Sequence, residues 1–282
     1  MEKTSDWTVA GFHVLPFEWR PPKGPAQCYA MENTLDQHRI LLHPDVKKGA
    51  AYPVVVGFHG QPKRGKNPRD YKFHQGIEET LVEVMREGGT KPFVLVLPVF
   101  RFNGQNWPGF DPASFRTAVE AQLTSIGVRA GGWYAFGHSG AAGCGGDGLN
   151  MAHRLEPKAV GFFDTCLGKG WQAEIGRLRK KGIRTINIHS VETAGFRPKQ
   201  RPEYQSNFDF GRAYKPLGMK PVSCSNIHPG EELRDQPYRC AATDDGWIGG
   251  FVVDTGEGQA AHEALLRVAL RYFLLNLVGL SR

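Results

Sequence analysis

The sequence lacks the long hydrophobic run that a membrane-spanning helix requires. The longest apolar segment, residues 264–280, is interrupted by Arg267, Arg271 and Asn276, whereas a transmembrane helix needs about 20 consecutive apolar residues. Residues 1–7 are polar and show no hydrophobic region of a signal peptide. We therefore expect no membrane partner, and a protein that is either cytoplasmic or secreted with its signal peptide removed.

Cysteine is scarce too, and its spacing excludes the common metal motifs. The five cysteines show neither a CxxC pair nor a zinc-binding spacing, so we expect no metal site. An odd number is typical of a reducing compartment. Cys224 and Cys240, however, lie in one polar segment and could form a disulfide, which would favour an oxidising compartment. The cysteines therefore leave both compartments open.

What is present is an ordinary globular composition with a basic balance. The 282 residues suit one large α/β domain or two small ones, and 40% of them are hydrophobic. The net charge of +7 either aids solubility alone or favours an acidic partner or substrate. Because the aromatic residues lie in apolar segments and not between basic ones, we expect no nucleic-acid partner.

Apolar runs alternate with helical spacings along most of the chain. Residues 53–58, 92–97 and 159–163 are strands of the kind that is buried on both faces. We count about eight strands, which predicts an α/β fold with a mostly parallel eight-stranded sheet and helices on both faces. We expect a single domain over residues 1–282. An insertion at about 196–245 shows no periodicity, and it could be a lid or a substrate-side loop.

One strand ends in the pentapeptide Gly-His-Ser-Gly-Ala at residues 137–141. A serine between small residues suits a tight strand-to-helix turn, where larger side chains would collide with the adjacent strand and helix. We expect a helix to follow from about Ala141 to Arg154. Ser139 is therefore the candidate nucleophile, and its neighbour His138 is expected to pack or hydrogen-bond locally.

A serine nucleophile needs a base, an acid that orients the base, and two N–H donors for the oxyanion. His262 follows the last strand and is the candidate base. Asp164 and Glu192 each follow a strand that comes after the serine, so either could be the acid. The oxyanion donors would be the backbone N–H groups of Gly140 and Gln61.

These residues make the chain similar to the α/β-hydrolase superfamily. The resemblance rests on Phe-His-Gly at residues 58–60, on the serine pentapeptide and on the order serine, acid, histidine. It covers about residues 7–280 except the insertion. It implies hydrolysis of esters, amides or thioesters by Ser139, with no cofactor. Most members place the acid after the seventh strand, which favours Glu192. Some members place it after the sixth, and we favour Asp164 because it ends an unambiguous strand.

A basic loop follows His59, which we expect to brace the oxyanion loop and not to react. Residues 60–67 nearly match the phosphate-binding pattern GxxxxGK[ST], but Asn67 replaces the hydroxyl residue that would hold a metal ion, which argues against nucleotide hydrolysis. Lys63 and Arg64 could instead bind an anionic substrate. The alternative is a solvated loop.

Three functions are compatible with the sequence. A serine esterase ranks first, and a peptidase or amidase for a polar or anionic peptide or cell-wall substrate ranks second. The third is a non-catalytic binding protein with the same fold. The expected partner is a small-molecule, peptide or polymer substrate.

Overall fold

The structure is a computed structural model. It describes residues 11–20, 22, 38–60, 72–87, 89–99, 107, 109–142, 148–165, 169–190, 215–224, 237–253, 255–256 and 258–282. Five residues named above, Gln61, Lys63, Arg64, Asn67 and Glu192, lie outside this part of the chain.

The described strands form one sheet. They are β1 (His13–Phe17), β2 (His38–Leu42), β3 (Ala51–Phe58), β4 (Val94–Leu97), β5 (Arg129–His138), β6 (Ala159–Phe163), β7 (Arg184–Ser190), β8 (Lys220–Val222), β9 (Pro237–Ala242) and β10 (Ile248–Val253). Their order across the sheet is β1-β2-β4-β3-β5-β6-β7-β10-β9-β8. Six neighbouring strands, β4, β3, β5, β6, β7 and β10, run parallel to one another. At each edge of the sheet, two further strands are antiparallel to their neighbours.

The inner strands are continuous apolar runs because both of their faces are covered. In β3, Val54 and Val56 pack in the cluster on one face of the sheet, and Val55 packs in the cluster on the other. All three side chains are fully buried. The predicted α/β class and the mostly parallel sheet are therefore confirmed.

Within the described residues, four α-helices cover the two faces of the sheet. They are α1 (Lys72–Arg86), α2 (Pro112–Ser125), α3 (Lys169–Lys180) and α4 (Gly258–Tyr272). Helices α1 and α4 contribute to one core cluster, and α2 and α3 to the other. The side chain of Asp111 accepts a hydrogen bond from the Ser114 N–H and caps α2, with Pro112 at its first position. No described helix has both the length and the apolar content that crossing a membrane would demand.

The predicted number of eight strands was wrong. The two additional strands, β8 and β9, lie inside the segment expected to be irregular. Strand β8 is only three residues long and is exposed or half-buried, so it lacks the apolar run that marks an inner strand. The Cys224–Cys240 disulfide joins the residues beside β8 to β9, which settles the pairing left open above.

The strand directions bring the polar residues that follow β3, β5 and β6 to one edge of the sheet. Carboxyl ends of parallel strands meet there, and ligands of open α/β sheets bind beyond them. His59, Ser139 and Asp164 each stand directly after a strand. This edge is where the candidate site lies.

Candidate active site

The turn at Ser139 has the backbone of a strained strand-to-helix connection. β5 ends at His138, and a 3₁₀ turn begins at Ser139 and ends at Ala142. Ser139 has a φ of 60°, in the left-handed region that few residues other than glycine adopt. Such strained serines are typical of nucleophile elbows, because the turn lifts the hydroxyl above the sheet.

Two glycines let other atoms approach this turn closely. A Cβ atom added at Gly60 would lie 2.6 Å from the Ser139 Cβ and 2.8 Å from the His138 carbonyl oxygen. A Cβ added at Gly137 would lie 2.7 Å from the Ala141 Cβ. Real Cβ atoms do not come this close to other heavy atoms. Packing therefore requires glycine at both positions, and the sequence predicted this for Gly137.

The helix expected to start near Ala141 has a different form. The described chain makes the 3₁₀ turn that ends at Ala142 and a second 3₁₀ segment, Gly148–Leu155. Gly148 has a φ of 61°, and a Cβ there would lie 2.5 Å from the Ala141 carbonyl oxygen and 2.6 Å from Trp107. The second 3₁₀ segment, which replaces the expected α-helix, therefore begins at a closely packed glycine in the left-handed region.

Polar contacts hold the second 3₁₀ segment to α3. The fully buried Glu174 accepts a hydrogen bond from the His153 backbone N–H at 2.7 Å and contacts the Nε of Arg177 at 2.9 Å. The side-chain amide of Asn150 donates to the Ala142 carbonyl oxygen. Asn150 therefore links the segment back to the serine turn.

Asp164 and His262 meet at the carboxyl edge. Asp164 directly follows β6, is fully buried and has a φ of 46°. Its Oδ2 lies 2.9 Å from Nδ1 of His262 in α4, and its Oδ1 accepts a hydrogen bond from the Ser190 N–H at 2.8 Å. Of the two candidate acids, Asp164 is the one seen beside His262, whereas Glu192 lies outside the described residues.

A second histidine stands on the other side of Asp164. His189, near the end of β7, is fully buried, and its Nδ1 lies 3.7 Å from Asp164 Oδ1. Burial alone would raise the pKa of the Asp164 carboxyl, but the imidazoles of His189 and His262 outweigh that effect and hold the pKa far below its usual value. Asp164 is therefore an anion. Sequence reasoning missed His189, although its place at a strand end was a usable signal.

His138 makes contacts that sequence reasoning did not foresee. Its ring stacks on the ring of His262 with the centroids 4.4 Å apart and the planes at 29°. Its Nε2 donates a hydrogen bond of 2.8 Å to the backbone oxygen of His262. The expectation of a local role was wrong, because the partner is 124 residues away in sequence. Burial lowers the pKa of His138 to about 3, so the ring is neutral.

Of the two predicted oxyanion donors, Gly140 lies within the described residues and Gln61 lies outside them. A Cβ at Gly60 would lie 3.1 Å from the Gly140 nitrogen, so this nitrogen faces the residue that precedes Gln61. His59 contacts the Gly60 carbonyl oxygen through Nδ1 at 2.7 Å, and its ring packs 4.8 Å from that of Trp107. Burial lowers the pKa of His59 to about 4. These contacts fit a bracing role for His59.

His138 connects the serine turn to His262. Ser139 is covalently next to His138, whose ring lies against that of His262. Within the described chain, no hydrogen bond connects the Ser139 hydroxyl to His262. Hydrogen bonds of this kind are often long in unliganded sites and tighten when substrate binds.

A metal ion would have to compete with existing bonds at this edge. His138, Asp164 and His262 each offer one ligand atom, and these atoms lie within 4.8 Å of one another. However, His262 Nδ1 already contacts Asp164, and His138 Nε2 already donates to a carbonyl oxygen. The nitrogen atoms that would bind a metal ion are thus already engaged in hydrogen bonds, one to the Asp164 carboxylate and one to a backbone oxygen.

Comparisons with known proteins bear on the fold. No protein-family model and no curated protein matches the chain. The structure of MPT51 from Mycobacterium tuberculosis is 12% identical and has a TM-score of 0.50, with 90% of this chain and 97% of that chain covered. A feruloyl esterase module from Clostridium thermocellum in complex with sinapinate is 10% identical, with a TM-score of 0.49, and the coverage is 93% of this chain and 87% of that one.

A ferulic acid esterase from Anaeromyces mucronatus in complex with ferulic acid is 13% identical and has a TM-score of 0.47. It covers 92% of this chain, and 89% of that chain is covered in turn. At 12% identity, the likeness to MPT51 shows similarity of fold alone. The strand order, the left-handed serine after β5 and the likeness to MPT51 lead to one conclusion: the chain has the fold of the α/β-hydrolase superfamily.

Proposed function

We propose that the protein is a serine hydrolase that cleaves a carboxylic ester through an acyl-enzyme. Ser139 is the nucleophile, His262 the general base and Asp164 the acid that orients it. One observation carries the proposal: the contact of 2.9 Å between His262 Nδ1 and the buried Asp164 carboxylate, at the sheet edge where Ser139 adopts its left-handed turn.

The contact with Asp164 determines which nitrogen of His262 carries the proton. An ionised carboxylate only accepts hydrogen bonds, so Nδ1 is the protonated nitrogen and Nε2 keeps its lone pair. Nε2 can then take the proton of Ser139 as its oxygen attacks the ester carbonyl. The low pKa of Asp164 supports this role, since the anion stabilises the imidazolium that forms.

The remaining steps follow from the same groups. The negative oxygen of the tetrahedral intermediate would accept hydrogen bonds from the N–H groups of Gly140 and Gln61. His262 then donates its proton to the leaving alcohol, and Ser139 stays acylated. A water molecule that His262 deprotonates attacks the acyl group, and the serine is released. Esters rank ahead of amides because an alcohol leaves more readily than an amine.

The test is covalent labelling with a fluorophosphonate, combined with hydrolysis of p-nitrophenyl acetate and of a matched anilide. We expect the wild type to be labelled at Ser139, and Ser139→Ala to lose both labelling and hydrolysis. The control is Ser125→Ala, which removes an exposed serine of α2 and should behave as the wild type. A wild type that is neither labelled nor active would favour the non-catalytic binding protein. Faster cleavage of the anilide would favour the amidase.

A further inference from the structure

We propose that His138 is a positioning residue that holds the proposed base His262 through both its ring and its backbone. The inference rests on the proposed function and extends it to a residue outside the triad. His138 is the last residue of β5, directly before Ser139, so one side chain connects the turn of the nucleophile to the helix of the base.

Two contacts of different kinds act on His262. The stacked rings, with centroids 4.4 Å apart, limit rotation of the His262 side chain. The hydrogen bond of 2.8 Å from His138 Nε2 to the His262 backbone oxygen fixes the place of that residue in α4. Asp164 contacts the ring of His262 at one atom, Nδ1. A contact at one atom cannot fix the plane of the ring or the position of the backbone, and His138 constrains both.

The environment of His138 suits a passive support. The residue is buried, and a second cation against the His262 ring would oppose the imidazolium that forms during the reaction. The neutral ring of His138 instead stabilises the His262 imidazolium, because the face of an aromatic ring attracts a cation within about 6 Å. His138 can therefore remain in place through the whole cycle without accepting the proton that Ser139 gives up.

The order of residues makes the coupling direct. Ser139 and His138 are neighbours in sequence, whereas His138 and His262 are 124 positions apart. A shift of the end of β5 moves the nucleophile, and through His138 it moves the base in the same direction. The distance between the serine oxygen and Nε2 is thereby protected. A misplacement of about 1 Å can lower a rate about 100-fold, so such a link has a measurable effect.

Two substitutions separate the two contacts. His138→Phe keeps an aromatic ring for stacking and loses the donor, and His138→Gln keeps a donor and loses the ring. We expect each to lower kcat about 10-fold and His138→Ala to lower it about 100-fold. KM should change less than about twofold, because no contact with substrate is removed. The rate of fluorophosphonate labelling should fall in parallel.

A spectroscopic measurement tests the link without relying on catalysis. The Nδ1 proton of His262, shared with Asp164, should give a resolved downfield proton resonance in the wild type. It should broaden or move upfield in His138→Ala, and partly so in His138→Gln and His138→Phe. His43→Gln is the matched control, since it alters a fully buried histidine near the amino end of β4, at the opposite sheet edge. It should leave both the resonance and kcat unchanged in folded protein.

The kinetic and spectroscopic results together decide whether His138 positions His262. The proposal is overturned if folded His138→Gln and His138→Phe keep wild-type kcat and the wild-type resonance. It is also overturned if His43→Gln lowers kcat as much as they do, because the effect would then be general destabilisation. If the wild type is not labelled at Ser139, the proposed function fails. In that case the change of the resonance alone still decides whether His138 holds His262.

Discussion

The proposed nucleophile and the proposed base are held in place by different means. Ser139 is held by close packing, since Gly60 leaves no room for a Cβ beside it. His262 is held by polar and stacking contacts, with Asp164 at Nδ1 and the ring of His138 on its face. Around Ser139, backbone segments pack closely against each other. Around His262, side chains surround a buried carboxylate.

The two kinds of contact constrain different properties. Backbone packing fixes the position of the serine oxygen and does not affect the protonation state of any side chain. The carboxylate contact fixes which ring nitrogen of His262 carries the proton and permits the ring to become charged. We therefore expect changes on the base side to remove activity from a folded protein. Changes on the serine side should lower activity and stability together.

The largest effect should come from Asp164→Asn. An asparagine neither enforces the proton on His262 Nδ1 nor stabilises the imidazolium, so we expect kcat to fall about 10³- to 10⁴-fold. KM should stay within about twofold of the wild type. The measurement is the initial rate of p-nitrophenyl acetate hydrolysis, with the folded fraction determined by circular dichroism on the same samples.

Glu192→Gln is the matched control for this variant, because it removes the other candidate acid. Its kcat should remain within about twofold of the wild type. A protein that loses activity in Glu192→Gln and keeps it in Asp164→Asn would contradict the assignment of the acid.

The next effect should come from Gly60→Ala on the serine side. The added Cβ would meet the Ser139 Cβ at 2.6 Å and the His138 oxygen at 2.8 Å, and neither atom belongs to a flexible side chain. The turn must therefore shift. We expect kcat to fall about 100-fold and the free energy of unfolding to fall by about 1–3 kcal/mol, measured by urea denaturation.

Gly176→Ala in α3 controls for the methyl group itself. A Cβ there meets no atom within 4 Å, and alanine is favoured over glycine in a helix by about 1 kcal/mol. The variant should be slightly more stable than the wild type and fully active. If Gly60→Ala were as stable and active as Gly176→Ala, close packing would not be what holds Ser139.

The sequence predicted the inner strands correctly, because their residue types occur in one kind of environment. Continuous apolar runs such as Val54 to Val56 marked inner strands, because only a strand covered on both faces is apolar throughout. The edge strands β8 and β9 were missed for the converse reason. Strand β8 is exposed or half-buried, and the possible Cys224–Cys240 disulfide named from the sequence did not by itself indicate strands on either side of it.

The same distinction applies to the site. The proposed roles of Ser139, Asp164 and His262 remain predictions, but the sequence could indicate that they lie at one sheet edge, because each comes after a strand and the fold brings strand ends together. The supports of His262 and Asp164 could not be predicted. His138 and His189 act through contacts with residues 124 and about 25 positions away, as the hydrogen bond to His262 and the 3.7 Å approach to Asp164 show. A histidine beside a serine looks the same in sequence whether it packs locally or reaches another helix.

The smallest effect concerns a property that the two regions share. His59 on the serine side and His138 on the base side are both buried, with pKa values lowered by burial to about 4 and about 3. A histidine with a folded-state pKa below its unfolded value of 6.5 binds its proton first in the unfolded chain. The stability it contributes is complete above pH 6.5 and is lost as the pH falls toward its folded pKa, by about 1.4 kcal/mol per pH unit for each residue.

His59→Gln should remove one such group. We expect the dependence of the unfolding free energy on pH, measured by urea denaturation between pH 6.5 and 4.5, to become shallower by about 1.4 kcal/mol per pH unit. His38 is the matched position, because burial lowers its pKa to about 4 as well and its partners are the Trp19 oxygen and the Val99 N–H. His38→Gln should flatten the profile equally, since the effect follows from burial and not from catalysis. An unchanged slope in both variants would mean that these imidazoles bind protons in the folded protein as readily as in the unfolded chain.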